Sequence, residues 1–429
     1  MREALVATFR RLIRLYFRRI ERVGDPPRVG TRGRVFVSNH HNALIDPILV
    51  LTDAACEISP IAKSTLWNIP GIAWLLDRAG AVPIVRRKDH ADKDASSNEA
   101  MFAKIASHLA DGGNILIFPE GTSHSEPTLA PLKTGAARML IAAEHAARTP
   151  PTFQAVALEF DEKDQFRSRC LVLWGPVRQL SEVPGDGEDR VKAITAQMEA
   201  DLGELLVEAD THEDRRLIAR IAEMLAHDAG DGSLSVWNDL GRKIELAGKA
   251  LREADPALVA QIRDHVDAYY AELHRLGRRD AEPARVRIVS RRGLNRIVHG
   301  EQALGPRLRR LALAPLAISG FALYAIPYFI PRMVARRADE DAVSTVKLAT
   351  ALVVYPLWMG GLVGASLVML PPPLSLGAAA IAIASPFAAL RWLDEYWERD
   401  RDITDDERAQ LARLRIAART AIDEARARL

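Results

Sequence analysis

A histidine and an aspartate, His41 and Asp46, lie five positions apart in the polar run that follows the apolar residues 34–38. An aspartate that binds one nitrogen of an imidazole fixes the neutral tautomer and leaves the other nitrogen able to accept a proton from an alcohol. Since no serine or cysteine is placed to act as the nucleophile, the acceptor hydroxyl itself should attack. The pair therefore predicts general-base catalysis by His41, with Asp46 as the residue that orients its ring.

The dipeptide Asp46-Pro47 predicts where the next helix begins. Aspartate is favoured at the N-cap and proline at the first helical position, so the helix should start after Asp46 and His41 should lie in the loop before it. On one continuous helix, residues five apart would point about 140° apart, so a turn must bring the carboxylate back to the ring. Taken alone, these residues are better explained as a loop histidine and a plain helix cap.

A second run, residues 80–87, is a short apolar strand that ends in Arg86 and Arg87. Guanidinium groups at a strand end suit bidentate capture of a phosphate. Considered singly, the same two residues would be ordinary surface charge.

A third run, residues 114–125, is an apolar strand followed by the turn Phe118-Pro119-Glu120-Gly121-Thr122-Ser123. Backbone donors freed at this turn, together with the two hydroxyls, could line an anion or oxyanion site. Lys133 lies in the first turn of the next predicted helix and adds a cation beside that helix's N-terminal donors. Alone, this run would be an ordinary strand, turn and helix.

The elements that must position these runs form an α/β pattern. Between residues 34 and 180, short apolar runs alternate with helical stretches, which predicts a largely parallel sheet flanked by helices. The predicted strands are 34–38, 57–62, 81–85, 114–118, 153–160 and 169–174. The predicted helices are 47–55, 66–78, 97–110 and 132–147. All three polar runs leave the ends of strands, where the chemistry of such sheets is usually found.

In this order and spacing, the three runs resemble the glycerophosphate acyltransferase family. Its signature is a histidine, four residues and an aspartate, followed by an arginine block and a Phe-Pro-Glu-Gly block, and the resemblance covers about residues 30–182. It implies acyl transfer from a thioester, acyl-CoA or an acyl carrier protein thioester, to a glycerol-phosphate hydroxyl, with no bound cofactor or metal. The candidate substrate-binding residues are Arg86, Arg87, Glu120, Gly121, Thr122, Ser123 and Lys133.

Within that family, the sequences of these runs are most similar to those of the branch that acylates glycerol 3-phosphate at sn-1 or dihydroxyacetone phosphate. Ser123-His124 stands where lysophosphatidate-acylating members commonly have an arginine, which leaves phosphate binding to Arg86, Arg87 or Lys133. The alternatives are a 1-acylglycerol-3-phosphate acyltransferase acting at sn-2, an esterase or transacylase with the same base, and a non-catalytic lipid-binding membrane protein. A base together with its orienting carboxylate favours an enzyme in phospholipid biosynthesis.

Composition limits the other possibilities. A formal net charge of +2 argues against general nucleic-acid binding, and two cysteines are too few for a disulfide framework or a structural zinc site. Residues 1–24 are predicted to be a basic amphipathic helix, without the pattern of a signal peptide, that docks on the core or on anionic lipid. Residues 186–300 are charged and favour helix, and no chemistry is assigned to them.

Three uncharged stretches follow: 311–331, 348–370 and 374–390, which are 21, 23 and 17 residues long. A membrane-spanning helix needs about 20 apolar residues. The placement of arginines predicts a transmembrane hairpin over 348–391, a helical tail over 392–429 and a catalytic domain that faces the cytoplasm, at the inner or plasma membrane of a bacterium. Because arginines flank the first stretch on both sides and prolines interrupt it, 311–331 is predicted to be interfacial or re-entrant.

Overall fold

The computed structural model describes residues 2–428 except 70, 85–94, 148, 279, 281–303 and 398–403. The chain divides into two compact units. The first comprises Met1–His212 and Glu340–Thr345, and the second comprises Glu213–Asp339 and Val346–Leu429.

The first unit is built on a seven-stranded sheet. Its strands are β1 (Arg19–Gly24), β2 (Arg34–Ser38), β3 (Ser59–Lys63), β4 (Val82–Ile84), β5 (Ile115–Ile117), β6 (Thr152–Phe160) and β7 (Arg169–Gln179). The order across the sheet is β1-β7-β6-β2-β5-β3-β4. Neighbouring strands are parallel except for β6 and β7, which are antiparallel. The predicted α/β class with a largely parallel sheet is confirmed.

Helices cover this sheet: α1 (Arg2–Tyr16), α2 (Ile45–Asp53), α3 (Ile72–Ala79), α4 (Ala95–Ala110), α5 (Gly135–Ala146) and α6 (Gly187–Gly203). The central strands are mainly apolar and buried because a parallel sheet is covered on both faces. In β2, for example, Val35, Phe36 and Val37 are fully buried. This core holds rigid the strand ends from which the polar runs emerge.

The predicted helix over residues 1–24 is wrong in its second half. Helix α1 ends at Tyr16, and the chain then forms β1, which pairs with β7 so that Ile20 lies opposite Cys170. Ile13 and Tyr16 are buried, so α1 docks on its own domain. An unpaired β7 would expose a row of backbone donors and acceptors, and pairing with it overrides the helical spacing of residues 19–24.

The second unit is helical. Its helices are α7 (His212–Asp228), α8 (Leu234–Ala254), α9 (Pro256–Leu276), α10 (Leu304–Ala335), α11 (Val343–Met369), α12 (Leu374–Trp397) and α13 (Asp405–Arg428). Helices α7, α9 and α13 share one core, in which Met224, Val266, Tyr269 and Ala418 are fully buried. The charged region and the helical tail named from the sequence thus pack together.

Three of these helices are long and apolar enough to cross a membrane, over Ala312–Ala335, Val343–Met369 and Leu374–Asp394. The stretch predicted to be interfacial or re-entrant lies within α10, a continuous helix in spite of three internal prolines. Helix α10 packs on α12: the Tyr324 hydroxyl donates to the Ala382 carbonyl at 2.8 Å. A Cβ on Gly320 would come within 2.2 Å of the Ser385 carbonyl oxygen, a close approach that small residues allow.

Candidate active site

The loops that leave β2 and β5 meet at the carboxyl edge of the sheet. The two strands are parallel neighbours, so both chains emerge side by side. The amide of His124 donates to the carbonyl of His40 at 3.0 Å. The ring of His40 stacks on that of Phe118 with 4.1 Å between centroids. The first and third runs recognised in the sequence therefore form one site.

The carboxylate of Asp46 is the centre of the first loop, and its side chain is fully buried. One oxygen, Oδ2, accepts hydrogen bonds from the backbone amides of His41 and Asn42, both at 2.7 Å. The same oxygen lies 2.9 Å from Nδ1 of His40. Because an ionised carboxylate only accepts, His40 carries its proton on Nδ1 in this contact.

The predicted contact between Asp46 and the ring of His41 is wrong, because the ring that Asp46 binds belongs to His40. Helix α2 begins at Ile45, so Asp46 lies inside its first turn and not at the N-cap. A tight turn precedes the helix, with Ala43 at a φ of 30° and the Asn42 carbonyl accepting from the Ile45 amide. This turn points the carboxylate back at the amides before it, which fixes the backbone of His41 and directs its ring elsewhere.

Three histidines line the loops, and they differ in the groups that their ring nitrogens bind. His41 donates from Nδ1 to the carbonyl of His124 at 2.9 Å. The ring of His124 is bound at both nitrogens: Nδ1 accepts from the Glu126 amide at 3.2 Å, and Nε2 contacts the carboxylate of Glu120. In the described part of the chain, nothing binds Nε2 of His40 or of His41. Only the ring of His40 combines an open Nε2 with a carboxylate on the other nitrogen.

The carboxylate of Glu120 is turned into the protein and its side chain is fully buried. Its Oε1 accepts from the amide of His40 at 2.8 Å, and its Oε2 accepts from the amide of Ala130 at 3.0 Å and contacts the ring of His124. Both oxygens thus hold protein groups in place. Glu120, predicted to bind substrate, has the contacts of a positioning residue for the histidine loop.

Gly121 and Lys133, two of the predicted substrate-binding residues, lie against each other. Gly121 has a φ of 81°, and a Cβ placed on it would come within 1.9 Å of the Lys133 ammonium nitrogen. The amide of Lys133 donates to the carbonyl of Pro119 at 2.9 Å, which ties it to the turn. The lysine side chain can therefore cross the turn only because residue 121 is glycine.

The turn also presents unpaired backbone donors. The amide of Gly121 donates to the carbonyl of Phe118 at 3.0 Å, whereas no described residue accepts from the amides of Thr122 or Ser123. The side chain of Thr122 is exposed, and the Ser123 hydroxyl binds the carboxylate of Asp341. Of the groups predicted to line an anion site at this turn, the backbone amides of Thr122 and Ser123 are those that no described residue binds.

We expect Gly121→Ala to lower the acyl transfer that the resemblance implies by between about 10- and 100-fold, because displacement of a binding group by about 1 Å can cost up to 100-fold. The added methyl group occupies the space of the Lys133 side chain, and the positive φ opposes any L-residue. The measurement is kcat/KM of purified protein in lipid nanodiscs. Gly112→Ala is the matched control: it has a φ of 89° and contacts only Arg32. Equal losses in the two variants would contradict a specific role for the crossing lysine.

Residues 340–345, which are distant in sequence, belong to the first unit and contact both loops of the site. The Asp341 carboxylate accepts from the Ser123 hydroxyl, and Thr345 Oγ1 accepts from the amide of Leu44 at 3.1 Å. Ser344 donates to the carbonyl of Lys163 at 2.6 Å. The segment thereby joins the loop after β2 to the loop after β5. Nothing in the composition of the segment marks partners that lie between 181 and 301 positions away in the chain.

We expect Asp341→Ala to raise the KM for the acceptor roughly tenfold while changing kcat less, because it releases the hydroxyl of Ser123 beside the open amides. A hydrogen bond to a charged group contributes about 1.5–3 kcal/mol, and partial exposure reduces this. Steady-state kinetics with varied acceptor measures the effect. Asp339→Ala removes a nearby carboxylate for which the structure shows no contact and is the control. A fall in kcat alone would contradict an acceptor-binding role.

Arg86 and Arg87 lie outside the described residues. They follow β4, which is parallel to β3 and ends at Ile84. The carboxyl end of β4 lies at the same edge of the sheet as those of β2 and β5, because these strands are all parallel. Among the described residues, no group of three or more His, Cys, Asp or Glu could hold a metal ion.

Comparison with known proteins identifies relatives of this domain. A model of the acyltransferase family matches residues 18–158. The chain is 35% identical over 82 residues to glycerol-3-phosphate O-acyltransferase 2 of Saccharomyces cerevisiae, a match that covers 18% of this chain and 11% of that protein. It is 30% identical over 102 residues to the chloroplastic 1-acyl-sn-glycerol-3-phosphate acyltransferase BAT2 of Brassica napus, covering 24% of this chain and 27% of that protein.

Among solved structures, the 1-acyl-sn-glycerophosphate acyltransferase of Thermotoga maritima is similar with a TM-score of 0.36 and 16% identity, over 48% of this chain and 80% of that one. The chain spans between a tenth and a third of the length of the two curated relatives above. The family match covers both loops of the site, from β2 through the Glu120 turn to β6. The domain that holds the site, over residues 18–158, therefore matches the acyltransferase family.

Proposed function

We propose that this protein transfers a fatty acyl group from a thioester donor to a hydroxyl of a glycerol-phosphate acceptor, with His40 as the general base. The observation that carries the proposal is the 2.9 Å contact between His40 Nδ1 and the buried carboxylate of Asp46. The names of the relatives, a glycerol-3-phosphate and a 1-acylglycerol-3-phosphate acyltransferase, support the class of acceptor.

In the proposed reaction, Nε2 of His40 takes the proton of the acceptor hydroxyl as its oxygen attacks the thioester carbonyl. Asp46 stays ionised and stabilises the imidazolium that forms. The carbon–sulfur bond then breaks, and the thiolate leaves with the proton that the imidazolium returns. The open amides of Thr122 and Ser123 are the proposed donors to the oxyanion of the tetrahedral intermediate, because fixed donors of this kind stabilise developing charge.

His41, the base predicted from the sequence, remains a second candidate because its Nε2 is also unbound. Its Nδ1 is held by a neutral carbonyl, which fixes the tautomer but supplies no negative charge to stabilise an imidazolium. The carboxylate of Asp46 fixes the tautomer of His40 and also supplies the negative charge that stabilises its imidazolium. On this ground we propose that His40 is the catalytic residue and that the backbone of His41 serves to position Asp46.

The acceptor's phosphate is proposed to bind the cations around the turn. Lys133 lies across Gly121, next to the open amides. Arg86 and Arg87 are proposed to complete the site, as the resemblance implies. Binding energy from the phosphate, which does not react, would hold the hydroxyl at the base.

We propose the sn-1 hydroxyl of glycerol 3-phosphate, or dihydroxyacetone phosphate, as the acceptor, with lysophosphatidate at sn-2 as the alternative. The ring of His124 is bound at both nitrogens, so it supplies no cation of the kind that arginine would bring. Membranes supplied with labelled acyl-CoA and, separately, with each of the three acceptors test this directly. Greater incorporation with lysophosphatidate would favour the alternative, and release of free fatty acid without acceptor would indicate an esterase.

For the membrane arrangement, we propose that α11 and α12 cross the bilayer as a hairpin while α10 does not. Ser123 and Asp341 are hydrogen-bonded, so both lie on one side of a membrane, and of the three apolar helices only α10 lies between them in the described chain. Asp280 and Arg415 also contact each other, which requires an even number of crossings between them. A hairpin of α11 and α12 satisfies both conditions.

Cysteine labelling tests this topology. A cysteine at Ala338, in a variant without Cys56 and Cys170, should react only from the cytoplasmic side, together with the catalytic domain. Labelling only from the opposite side would show that α10 crosses the membrane.

A further inference from the structure

Helices α7, α8, α9 and α13 of the second unit line an apolar cavity of about 430 Å³. Ligand sites in proteins commonly measure about 300–1,000 Å³ and are lined mainly by apolar side chains. The interior of this cavity is aliphatic, formed by Leu217, Ile221, Ile244, Leu251, Ile262 and Ile422. Five of these six belong to the buried core that α7, α8, α9 and α13 share, and the sixth, Ile244, packs against it.

The cavity lies between the four helices and is partly open to solvent. Protein interiors are close-packed, and the atoms that line a void lose their dispersion contacts on one side. Gly248 on α8 keeps part of the space open: a Cβ on it would meet only one atom, a guanidinium nitrogen of Arg252 at 3.9 Å. Glycine in the middle of a helix is destabilising, and no close contact requires it here. Gly248 therefore leaves room at the wall of the cavity, at a cost to the stability of its own helix.

The charged residues around the cavity are mostly cationic. Lys243, Arg252, Arg419 and Arg426 line it, against a single carboxylate, Asp214. That carboxylate is bound by Arg263 at 2.6 Å, so its charge is already balanced.

Two of these cations are partly neutralised by neighbours. Lys243 pairs with Asp239 at 2.6 Å, and Arg419 pairs with Asp228 at 2.9 Å. Arg426 is exposed, and no described residue forms an ion pair with it. An aliphatic interior with a basic edge complements a molecule with one apolar chain and an anionic head.

We propose that this cavity binds a single-chain anionic lipid, with its fatty-acyl chain between α7, α8, α9 and α13 and its carboxylate or phosphate at Arg426 and its neighbouring cations. All the lining residues belong to the second unit, whereas His40 and Asp46 belong to the first. The site is therefore separate from the proposed catalytic site and does not depend on it. Fatty acids and lysophosphatidate share the required chemistry.

Photocrosslinking of the full-length protein in nanodiscs tests the proposal. The probes are a diazirine-bearing palmitic acid and a diazirine-bearing lysophosphatidate, and cross-linked peptides are identified by mass spectrometry. We expect labelling within α7, α8, α9 or α13, suppressed by excess palmitate but not by hexadecanol, which has the chain without the charge. Labelling by both probes indicates recognition of any anionic head, and labelling by one identifies the source.

Two variants make the test specific. Gly248→Leu places a side chain in the cavity and should reduce this labelling at least tenfold, whereas Ala250→Leu, on the exposed side of the same helix, should not. Arg426→Glu changes only an exposed side chain and should reduce labelling at least fivefold, which keeps the test valid if Gly248→Leu fails to fold. His40→Ala should leave labelling unchanged.

Unchanged labelling in both Gly248→Leu and Arg426→Glu would overturn the proposal. So would labelling that hexadecanol suppresses as well as palmitate does, or cross-links confined to α10, α11 and α12.

Discussion

His40→Ala should lower the rate of acyl transfer by about 10²- to 10⁴-fold, the usual contribution of a positioned general base. His41→Ala should lower it by no more than about tenfold. The second variant loses one neutral hydrogen bond, to the carbonyl of His124, which contributes about 1 kcal/mol. It keeps the backbone amide that binds Asp46. The measurement is kcat and KM of purified protein in nanodiscs with acyl-CoA and the preferred acceptor.

Asp46→Asn is the companion variant, because it separates the charge of the carboxylate from its shape. An amide oxygen can still accept from the backbone of His41 and Asn42, so the loop can keep its fold. The negative charge that stabilises the imidazolium of His40 is lost, and we expect a decrease in kcat comparable to that of His40→Ala. Circular dichroism and thermal unfolding confirm that each variant is folded.

The two histidine variants distinguish His40 from His41 as the general base. If His41→Ala loses activity and His40→Ala retains it, the base is the residue that the family spacing of four intervening residues selects. The contact between His40 and Asp46 would then be structural. The opposite result assigns catalysis to a spacing of five intervening residues, which the turn at Ala43 makes possible.

The sheet could be predicted from the sequence because its central strands are buried on both faces. The run 34–38 has three consecutive apolar residues, 35–37, at its centre, and the strand β2 has the bounds of that run. Strand β1 was missed because it lies at the edge of the sheet. Residues 19–24 carry Arg19, Glu21 and Arg22, and such a run shows no strand pattern until its partner is known. Edge strands are commonly charged in this way.

The site was located by sequence, but its internal contacts were not. Three polar runs at strand ends were enough to bring the loops after β2 and β5 together. Which histidine meets Asp46 depends on a positive φ at Ala43, a residue type that does not signal such a turn. The 340–345 segment depends on hydrogen bonds between residues about 218 positions apart, such as Ser123 and Asp341, which no local pattern encodes.

Asp280→Ala should lower the free energy of unfolding of the second unit by about 3–5 kcal/mol, the usual cost of breaking a buried ion pair. The Asp280 side chain is fully buried and accepts from His227 Nδ1 at 2.9 Å and from Arg415 Nε at 3.0 Å. Arg415 is itself buried and also contacts Asp228 at 2.8 Å. Its charge would lose its principal buried partner in the variant.

The control for this prediction is Asp423→Ala, on the same helix α13. Asp423 is exposed and pairs with Arg419 at 3.3 Å, so its removal should cost less than about 1 kcal/mol. Denaturant unfolding of the full-length protein in detergent, followed by intrinsic fluorescence, measures both. Equal effects of the two variants would contradict a stabilising role for the buried network.

The pKa of Asp280 also predicts how the free energy of unfolding depends on pH. Burial raises the pKa of Asp280, but the hydrogen bonds from His227 and Arg415 outweigh it and hold the pKa below its usual value. A carboxylate with a lowered pKa in the folded state stabilises the protein above its unfolded pKa, about 3.9, and loses this contribution as the pH falls through the folded value. The difference in stability between wild type and Asp280→Asn should therefore be constant near neutral pH and shrink below about pH 4. A difference that grows on acidification would mean that the buried group is held protonated, and that Arg415 is balanced by Asp228 instead.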